Sequence, residues 1–242
     1  MRTVLVLLAF IIFFTVTLPL LLIFYLIRIF DTKLAARLAQ PVVSYGFRFI
    51  MWAAGGKPVI EGLEQLPKDT PVLFTGNHRS YFDIVLAYWA IPCTKLTGFI
   101  AKKEIACVPL LNLWMILLHC KFLDREDPRK GLKTIQDCIA DTKAGWSMFI
   151  MPEGTRNQTS EMLPFKSGSL KIAERTGCPI VPVAVCGTDD MYEKHTPWVH
   201  GGTIRIRFGA PIPTENLDRE GKRMLSDTVK DAIQGMLNDM QK

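Results

Sequence analysis

Hydrophobic residues form one long uninterrupted run at the start of the chain. Residues 3–27 carry no charged side chain, and Arg2 and Arg28 bound them. A helix of these 25 residues would reach about 38 Å, which exceeds the roughly 30 Å hydrocarbon core of a bilayer. The run is longer than the apolar core of a cleavable signal peptide, and no small-x-small cleavage site follows it. The pattern therefore predicts an N-terminal membrane segment over residues 1–40.

Pro19 lies inside this run and leaves two arrangements of the membrane segment open. Proline removes a helical hydrogen bond and promotes a kink. The segment therefore forms either one tilted spanning helix or two helices, residues 3–17 and 20–38, that dip into one leaflet. Positive charges follow the run more often than they precede it, which places the rest of the chain on the cytoplasmic face of the cell membrane. These charges are Arg28, Lys33, Arg37 and Arg48.

The hydrophobic pattern changes after the polar turn at residues 55–57. Short apolar runs bounded by turn residues alternate with longer stretches of helical periodicity. This alternation indicates a single α/β domain over residues 41–242, with a mostly central mixed sheet flanked by helices. Ligands of such sheets bind beyond the carboxyl ends of the strands. The predicted strands are residues 59–61, 72–75, 97–101, 121–123, 148–151, 180–185 and 203–208, and the predicted helices are residues 81–90, 104–117, 129–143, 169–176 and 216–240.

Composition narrows the classes of protein that remain. Hydrophobic residues make up 49% of the 242-residue chain and charged residues 21%, which excludes a disordered chain and a coiled-coil array. The formal net charge of +6 favours an anionic partner, such as nucleic acid, a phosphorylated metabolite or an acidic membrane surface. The cysteines lie in apolar stretches without a CxxC pair, and we expect them to be reduced core residues on the cytosolic side. They are Cys93, Cys107, Cys120, Cys138, Cys178 and Cys186.

The first stretch with candidate chemistry directly follows the predicted strand at residues 72–75. Ser80 and Asp83 have the spacing of a helix N-cap and an acidic first-turn residue, so capping alone explains Asp83. Capping does not explain His78, which precedes the cap and can meet the Asp83 carboxylate only across the turn. A carboxylate that holds one imidazole nitrogen leaves the other free as a general base. The stretch reads Asn77-His78-Arg79-Ser80-Tyr81-Phe82-Asp83.

Further charged residues follow other predicted strands. After the strand at residues 148–151, Gly154 frees the backbone to approach a ligand, and Arg156 offers a bidentate fork for phosphate. Arg125 follows the strand at residues 121–123, and Lys102 and Lys103 follow the strand at residues 97–101. These cations at strand ends suffice to form one anion pocket, although each taken singly is typical of a solvated surface charge.

Several well-known catalytic patterns do not occur in the sequence. It contains no GxSxG nucleophile elbow, no GxxxxGK[ST] phosphate loop and no HExxH zinc helix. Serine-hydrolase, P-loop and zinc-peptidase functions therefore lack their usual residues. His195 and His200 lie five residues apart without an acidic partner, which argues against a metal site.

Four ordered stretches together resemble the motifs of the glycerolipid acyltransferase family. Within that family the sequence is most similar to the 1-acyl-sn-glycerol-3-phosphate acyltransferases of the short bacterial type. Each motif is weak alone, but four in order behind an apolar N-terminal segment are specific. The resemblance extends from about Gly62 to Gly209, with Met151 in place of a phenylalanine that many members have. The stretches are Asn77-His78-x-x-x-x-Asp83, Phe122-Leu123-Asp124-Arg125, Pro152-Glu153-Gly154-Thr155-Arg156 and Ile180-Val181-Pro182-Val183, with Ala101-Lys102-Lys103-Glu104 between the first two.

The resemblance implies transfer of a fatty acyl group from a thioester donor to the sn-2 hydroxyl of 1-acylglycerol 3-phosphate (lysophosphatidate), giving phosphatidate. His78 would be the general base and Asp83 its orienting partner, without an acyl-enzyme, a metal or a cofactor. The implied partners are acyl-CoA or acyl-carrier protein as donor, the lysolipid acceptor and an anionic membrane surface, but not nucleic acid. Backbone amides near Tyr81 are the natural donors to an oxyanion.

The resemblance also implies roles for the remaining motif residues. The acceptor phosphate would be held by Arg125 and Arg156, with help from Lys102 or Lys103. The pocket would be shaped by Asn77, Glu153, Gly154 and Thr155. Two alternatives stay open: an acyltransferase for another lysolipid or for glycerol 3-phosphate, and a non-catalytic membrane-anchored phospholipid-binding protein. The pairing of His78 with Asp83 favours an enzyme, because phosphate binding needs no imidazole–carboxylate pair.

Overall fold

The computed structural model describes residues 1–159, 161–166 and 168–240. After an initial pair of helices, strands and helices alternate along the chain. The strands are β1 (Gly56–Glu61), β2 (Leu73–Gly76), β3 (Thr97–Lys102), β4 (Lys121–Leu123), β5 (Ser147–Ile150), β6 (Ile180–Cys186) and β7 (Gly202–Phe208). The α-helices are α1 (Arg2–Phe30), α2 (Thr32–Ala54), α3 (Phe82–Ala90), α4 (Leu111–Leu117), α5 (Pro128–Lys143), α6 (Lys171–Thr176) and α7 (Arg219–Met240). Short 3-10 segments lie at Leu63–Gln65, Lys103–Cys107, Asp189–Met191 and Glu193–His195.

The strands form one mixed sheet in the order β1-β7-β6-β2-β5-β3-β4. β6, β2, β5, β3 and β4 run parallel to one another. β7 is antiparallel to β6, and β1 is parallel to β7. Leu73 in β2 pairs with Met148 of β5 on one side and with Ile180 of β6 on the other. This topology confirms the predicted α/β fold with a central mixed sheet, and it brings the carboxyl ends of the parallel strands to one edge.

The middle strands of the sheet are covered on both faces. Successive side chains of a strand point to opposite faces, so Phe74 and Phe149 pack against α1, α2 and α3, whereas Leu73 and Met148 lie on the other side. There they pack with residues of α5, α6 and α7, including Ile233. Burial on both faces explains why β2, β5 and β6 read as continuous apolar runs in the sequence.

α1 and α2 form a helical hairpin whose turn differs from the expected position. α1 continues as a helix through Pro19. The chain reverses at Asp31, whose side chain accepts the N–H of Leu34 at 2.9 Å and caps α2. The break therefore lies at Asp31 rather than at Pro19, and the boundary expected at residue 40 falls inside α2. Aspartate is a preferred N-cap residue, which explains where the second helix begins.

One face of α1 packs against the α/β domain, and the other face is exposed. Phe13 and Phe24 both contact the indole of Trp114 in α4, with ring centroids 5.7 and 6.2 Å apart. α2 approaches α1 closely at Gly46, where a Cβ atom would lie 2.3 Å from the Phe13 ring. Among the described residues, α1 is the one helix whose length and composition would allow it to cross a membrane.

The helix predicted over residues 104–117 is interrupted. The 3-10 segment ends at Cys107, and α4 begins at Leu111. Pro109 lies between them, and it lacks an N–H and disfavours helical backbone in the residue before it. The chain therefore forms two short helical segments where the apolar periodicity predicts one helix.

The prediction that every cysteine lies in the core is wrong for half of them. All six thiols are free, but Cys107 is exposed, and Cys93 and Cys186 are only partly buried. Cys107 ends a surface 3-10 segment, and Cys186 is the last residue of β6. Apolar neighbours in sequence therefore did not ensure burial at the ends of elements.

Gly62, which follows β1, should be essential for stability. It has a φ of +80°, and a Cβ atom there would lie 2.0 Å from the carbonyl oxygen of Phe208. Gly62→Ala should lower the free energy of unfolding by about 2 kcal/mol or more, because left-handed strain adds to a backbone clash. Denaturant unfolding measures this change.

Gly235→Ala is the matched control for Gly62→Ala. Gly235 is exposed in α7, and no atom lies within 4 Å of its Cβ position. Because alanine favours helix over glycine, this control should be neutral or stabilising by up to about 1 kcal/mol. Equal unfolding free energies for the two variants would contradict the role given to Gly62.

Candidate active site

Three loops meet at the carboxyl edge of the sheet, after β2, β5 and β6, which are neighbours. Hydrogen bonds join the first two loops. The N–H of His78 donates to Glu153 Oε1 at 3.0 Å, and the N–H of Asn157 donates to the carbonyl oxygen of His78 at 2.7 Å. The sheet order therefore brings together two of the motif stretches singled out in the sequence.

His78 and Asp83 form the centre of the site. His78 Nδ1 lies 2.9 Å from Asp83 Oδ2, across the turn that precedes α3. The Asp83 side chain is fully buried, whereas 17% of the His78 side chain is exposed. Within the described part of the chain, His78 Nε2 has no hydrogen-bond partner. One imidazole nitrogen is therefore held and the other is available.

The Asp83 carboxylate is surrounded by donors from two loops. Its Oδ2 also accepts the N–H groups of Arg79 at 2.6 Å and Ser80 at 2.8 Å, and its Oδ1 accepts the hydroxyl of Thr188, after β6. Ser80 Oγ in turn accepts the N–H of Phe82 at 3.0 Å. The N-cap of α3 is Tyr81 rather than Ser80, so the predicted N-cap is wrong by one residue, whereas Asp83 lies in the first turn as predicted. A buried carboxylate requires such a set of donors, because an unpaired buried charge is costly.

The backbone N–H groups at the start of α3 already have acceptors. Those of Arg79 and Ser80 donate to Asp83, as described above, and that of Tyr81 donates to Glu193 Oε1 at 3.0 Å. The N–H of Phe82, the first residue of α3, donates to the Ser80 hydroxyl. These amides are therefore not free to stabilise an oxyanion, contrary to the expectation from the sequence.

Two of the predicted pocket-shaping residues are buried and tie the loops together. Glu153 Oε1 accepts the N–H of His78, as described above. Glu153 Oε2 accepts hydrogen bonds from Asn157 Nδ2 and from the N–H of Leu163, each at 2.9 Å. The Asn77 side chain donates to the carbonyl oxygen of Val185 at 2.9 Å and accepts its N–H at 2.8 Å. Asn77 thereby joins the end of β2 to β6, and Glu153 joins the loops after β2 and β5.

Arg156 lies against the start of α3. Its Cζ is 3.8 Å from the centroid of the Tyr81 ring, and its Nη1 is 3.1 Å from Glu193 Oε1. The Arg156 side chain is 35% exposed, whereas the Glu193 side chain is 8% exposed. A guanidinium carries five N–H donors, so Arg156 retains donors for an anion that arrives from solvent.

Arg125 contacts a different part of the loop after β5. Its Nη1 donates to the carbonyl oxygen of Gly154. Gly154 has a φ of +74°, and a Cβ atom there would lie 3.5 Å from Arg125 Nη1 and 3.3 Å from Lys166 Cγ. Burial lowers the pKa of Arg125 and Glu104 opposes the change, but a guanidinium stays charged at neutral pH. The neighbouring Thr155 is exposed.

The two lysines of the expected anion pocket are paired with carboxylates. Lys103 Nζ lies 2.6 Å from Glu126 and 3.1 Å from Asp124, and hydrogen bonds to these two groups raise its pKa. Lys102 Nζ lies 3.3 Å from Glu104 at an exposed position. Both lysines of the expected anion pocket are therefore engaged by carboxylates, while the two arginines contact different groups.

An apolar cavity of about 600 Å³ lies beside the start of α3. It is enclosed by α1 to α4 and by the chain after β6. Phe13 of α1 and Trp114 of α4 line it, as do Tyr81 and Tyr192. Apolar cavities of this size are typical ligand sites. Arg156 contacts the ring of Tyr81, one of the residues that line this cavity.

Comparison with known proteins identifies the family. A family model described as Acyltransferase matches residues 57–186. The chain belongs to the acyltransferase family. A 1-acyl-sn-glycerol-3-phosphate acyltransferase of Cocos nucifera is 37% identical over 72% of this chain and 55% of its own length. One from Saccharomyces cerevisiae is 32% identical over 84% of this chain and 67% of its own length.

A solved structure matches this acyltransferase over its whole length. The crystal structure of the 1-acyl-sn-glycerophosphate (LPA) acyltransferase PlsC from Thermotoga maritima has a TM-score of 0.78 and 25% identity, and the match covers 100% of this chain and 98% of that one. The acyltransferase chain spans about half the length of its relatives from Cocos nucifera, Brassica napus and Arabidopsis thaliana. The family resemblance predicted from the four motifs is confirmed.

Several residues of the acyltransferase site were not predicted from the sequence. Thr188 donates to Asp83, and Asp189 Oδ2 accepts Arg79 Nη2 at 3.0 Å. Both residues follow β6, which is one of the predicted strands. A search for polar residues directly after every predicted strand would therefore have found them. Glu193 lies further along the loop and carries no comparable signal in the sequence.

The acyltransferase site has the parts of a proton-transfer site for an amphipathic anion. It offers an oriented imidazole, two arginines and an apolar cavity. No group of three or more His, Cys, Asp or Glu residues that could hold a metal ion occurs among the residues that the structure describes. His195 and His200 lie outside this site and contact each other, with ring centroids 4.2 Å apart.

Glu153→Gln should destabilise the acyltransferase domain. The buried carboxylate accepts three N–H groups, whereas a glutamine amide would turn its own NH2 toward at least one of these donors. We expect the free energy of unfolding to fall by about 1–3 kcal/mol in denaturant titrations. Glu64→Gln, at an exposed position, should change it by less than about 0.5 kcal/mol. Similar losses in both variants would contradict the role of Glu153.

Proposed function

We propose that the chain transfers a fatty acyl group from a thioester donor to the free hydroxyl of 1-acylglycerol 3-phosphate, giving phosphatidate. The proposal is carried by the 2.9 Å contact between His78 Nδ1 and Asp83 Oδ2, which leaves Nε2 available. Tyr81 and Phe82, which lie between these two residues in the chain, line the apolar cavity. The activity in the names of the relatives supports the choice of acceptor. A protein that only bound phospholipid would need cations but no oriented imidazole.

In the proposed reaction, His78 Nε2 takes the proton from the acceptor hydroxyl. The hydroxyl oxygen attacks the thioester carbonyl carbon, and the carbon–sulfur bond breaks as the tetrahedral intermediate collapses. The proton on His78 then passes to the departing thiolate, so the imidazole returns to its neutral form. No acyl-enzyme forms. A thioester is already activated, so a positioned base and an aligned hydroxyl supply much of the barrier reduction.

Asp83 is proposed to orient His78 rather than to exchange protons. Its Oδ2 faces His78 and two backbone N–H groups, and its Oδ1 faces the Thr188 hydroxyl. These contacts support an ionised carboxylate that fixes the imidazole tautomer and stabilises the imidazolium, as in a Ser-His-Asp triad in which the substrate hydroxyl replaces the serine.

The acceptor is proposed to bind with its tail in the apolar cavity and its phosphate on arginine. Arg156 lies at the Tyr81 edge of the cavity and retains free donors. Arg125 is the second candidate. Lys102 and Lys103 would contribute only by exchanging their carboxylate partners for the phosphate. The donor is acyl-CoA or acyl-carrier protein, and no resident cofactor or metal is needed for the chemistry proposed.

The helical hairpin is proposed to dip into one leaflet at the cytoplasmic face. Near one end of α1, the N–H of Val199 donates to Thr3 Oγ1 at 2.8 Å, and near the other end the Tyr25 hydroxyl donates to the carbonyl oxygen of Leu113 at 2.9 Å. Both ends of α1 are therefore tied to the same domain, which favours a helix that lies along the domain over one that crosses the bilayer. Its exposed apolar face would contact lipid.

His78→Ala should abolish turnover and leave lipid binding nearly intact. Loss of the general base should lower kcat by at least about 100-fold. The assay measures transfer of labelled acyl groups from acyl-CoA and from acyl-carrier protein to lysophosphatidate and to other lysolipids, with purified protein in detergent. His195→Ala, which changes a ring outside the site, is the matched control and should keep wild-type activity.

The same assay separates the proposal from its alternatives. Unchanged turnover in His78→Ala would refute the role of the base. If the wild-type protein transfers acyl groups only to another acceptor, the proposed mechanism stands but the proposed acceptor is wrong. Binding of lysophosphatidate without transfer to any acceptor would indicate a phospholipid-binding protein.

Trp52→Glu should weaken membrane association. The Trp52 side chain is 74% exposed in α2 and stacks on Phe49, with ring centroids 5.8 Å apart. Replacing a lipid-facing indole with a charge should reduce binding to anionic phospholipid vesicles by roughly tenfold or more in flotation assays. Leu132→Glu, at an exposed position of α5 on the other side of the sheet, is the control. Equal losses in both variants would contradict the proposed hairpin orientation.

A further inference from the structure

Glu193 joins the three loops of the site. It begins the 3-10 segment Glu193–His195, in the chain after β6. Its Oε1 accepts both the N–H of Tyr81 at 3.0 Å and Nη1 of Arg156 at 3.1 Å. Tyr81 directly precedes α3, the helix that carries Asp83, and Arg156 lies in the loop after β5. One carboxylate oxygen thus connects the loops after β2, β5 and β6.

The Glu193 carboxylate is shielded from water. Only 8% of its side chain is exposed, and its Oε2 is buried without a hydrogen-bond partner in the described part of the chain. A shielded carboxylate needs a nearby cation to balance its charge. The adjacent Lys194 pairs with Asp189 and Asp190 at 3.1 and 2.6 Å. Arg156 is therefore the cation that neutralises Glu193.

Arg156 is consequently held from two directions. Glu193 binds the edge of the guanidinium, and the Tyr81 ring contacts its face at 3.8 Å. A long side chain loses rotamer freedom when it binds a ligand, and holding it in advance reduces that loss. Tyr81 also lines the apolar cavity, so the guanidinium is held against a residue of the wall around the space that would take the acceptor tail.

We propose that Glu193 is a positioning residue that preorganises Arg156 for the phosphate of the acceptor. This inference rests on the proposed function. It implies that the chain after β6 contributes to the specificity of the protein for a phosphorylated acceptor. Glu193 does not touch the substrate. It acts through Arg156, so an acceptor without a phosphate, such as a monoacylglycerol, gains nothing from it.

Steady-state kinetics with acceptor and donor varied separately test the inference. Glu193→Ala should raise the KM for lysophosphatidate about tenfold, the loss expected for a charge-assisted hydrogen bond. The KM for the donor and the kcat should each stay within about twofold of the wild-type values. Glu193→Gln retains an oxygen acceptor and should recover part of the loss. Glu220→Gln, at an exposed position of α7, is the matched control.

A double-mutant cycle separates positioning from a general structural effect. In an Arg156→Ala background, Glu193→Ala should change the acceptor KM by less than about twofold, because the group on which it acts is gone. A tenfold effect that persists without Arg156, or an equal rise in the donor KM, would overturn the inference. So would a lower acceptor KM in Glu193→Ala, because Glu193 would then compete with the phosphate.

The outcomes also distinguish this inference from the proposed function. Wild-type protein that transfers no acyl group to lysophosphatidate refutes the proposed function and the inference with it. A second outcome overturns only the role of Glu193. In it, the wild-type protein is active and Arg156→Ala raises the acceptor KM, but Glu193→Ala leaves the acceptor KM unchanged.

Discussion

The buried carboxylate of Asp83 is the constraint on which the geometry of the site depends. It accepts backbone N–H groups from the loop after β2 and the hydroxyl of Thr188 after β6, and it contacts His78 Nδ1. A buried carboxylate is tolerated only while such donors stay in place. The bonds that make its burial tolerable are therefore the same bonds that set the imidazole orientation. The loops after two neighbouring strands supply these donors, so the fold sets the geometry of the pair His78 and Asp83.

Other carboxylates near the sheet edge hold loops and cations. Glu153 fixes the loop after β5, Asp189 pairs with Arg79, and Glu193 pairs with Arg156. Arg79 and Arg156 are thus paired with carboxylates before any substrate arrives. Under the proposed function, an incoming phosphate would meet an arginine whose orientation is already set, and preorganised donors of this kind need little rearrangement during binding.

Under the proposed function, the helical hairpin would connect this edge to lipid. The inner face of α1 lines the apolar cavity through residues such as Phe13, while its outer face is apolar and exposed. A lipid tail that enters the cavity from a bilayer exchanges one apolar environment for another, so it does not have to expose its surface to water. The packing of Phe13 and Phe24 on Trp114 in α4 makes the hairpin part of the cavity wall.

The sequence by itself determined the strands, most helices after α2, the α/β class and the contact of His78 with Asp83, because these follow from periodicity or from residues within one turn. Tertiary structure decided where the apolar helix ends, since the N-cap at Asp31 outweighed Pro19. It also paired Lys102 and Lys103 with carboxylates and brought Thr188 and Glu193 to the site. Those contacts join residues far apart in the chain, and they depend on which strands are neighbours and on which carboxylate each cation meets, which no local pattern records.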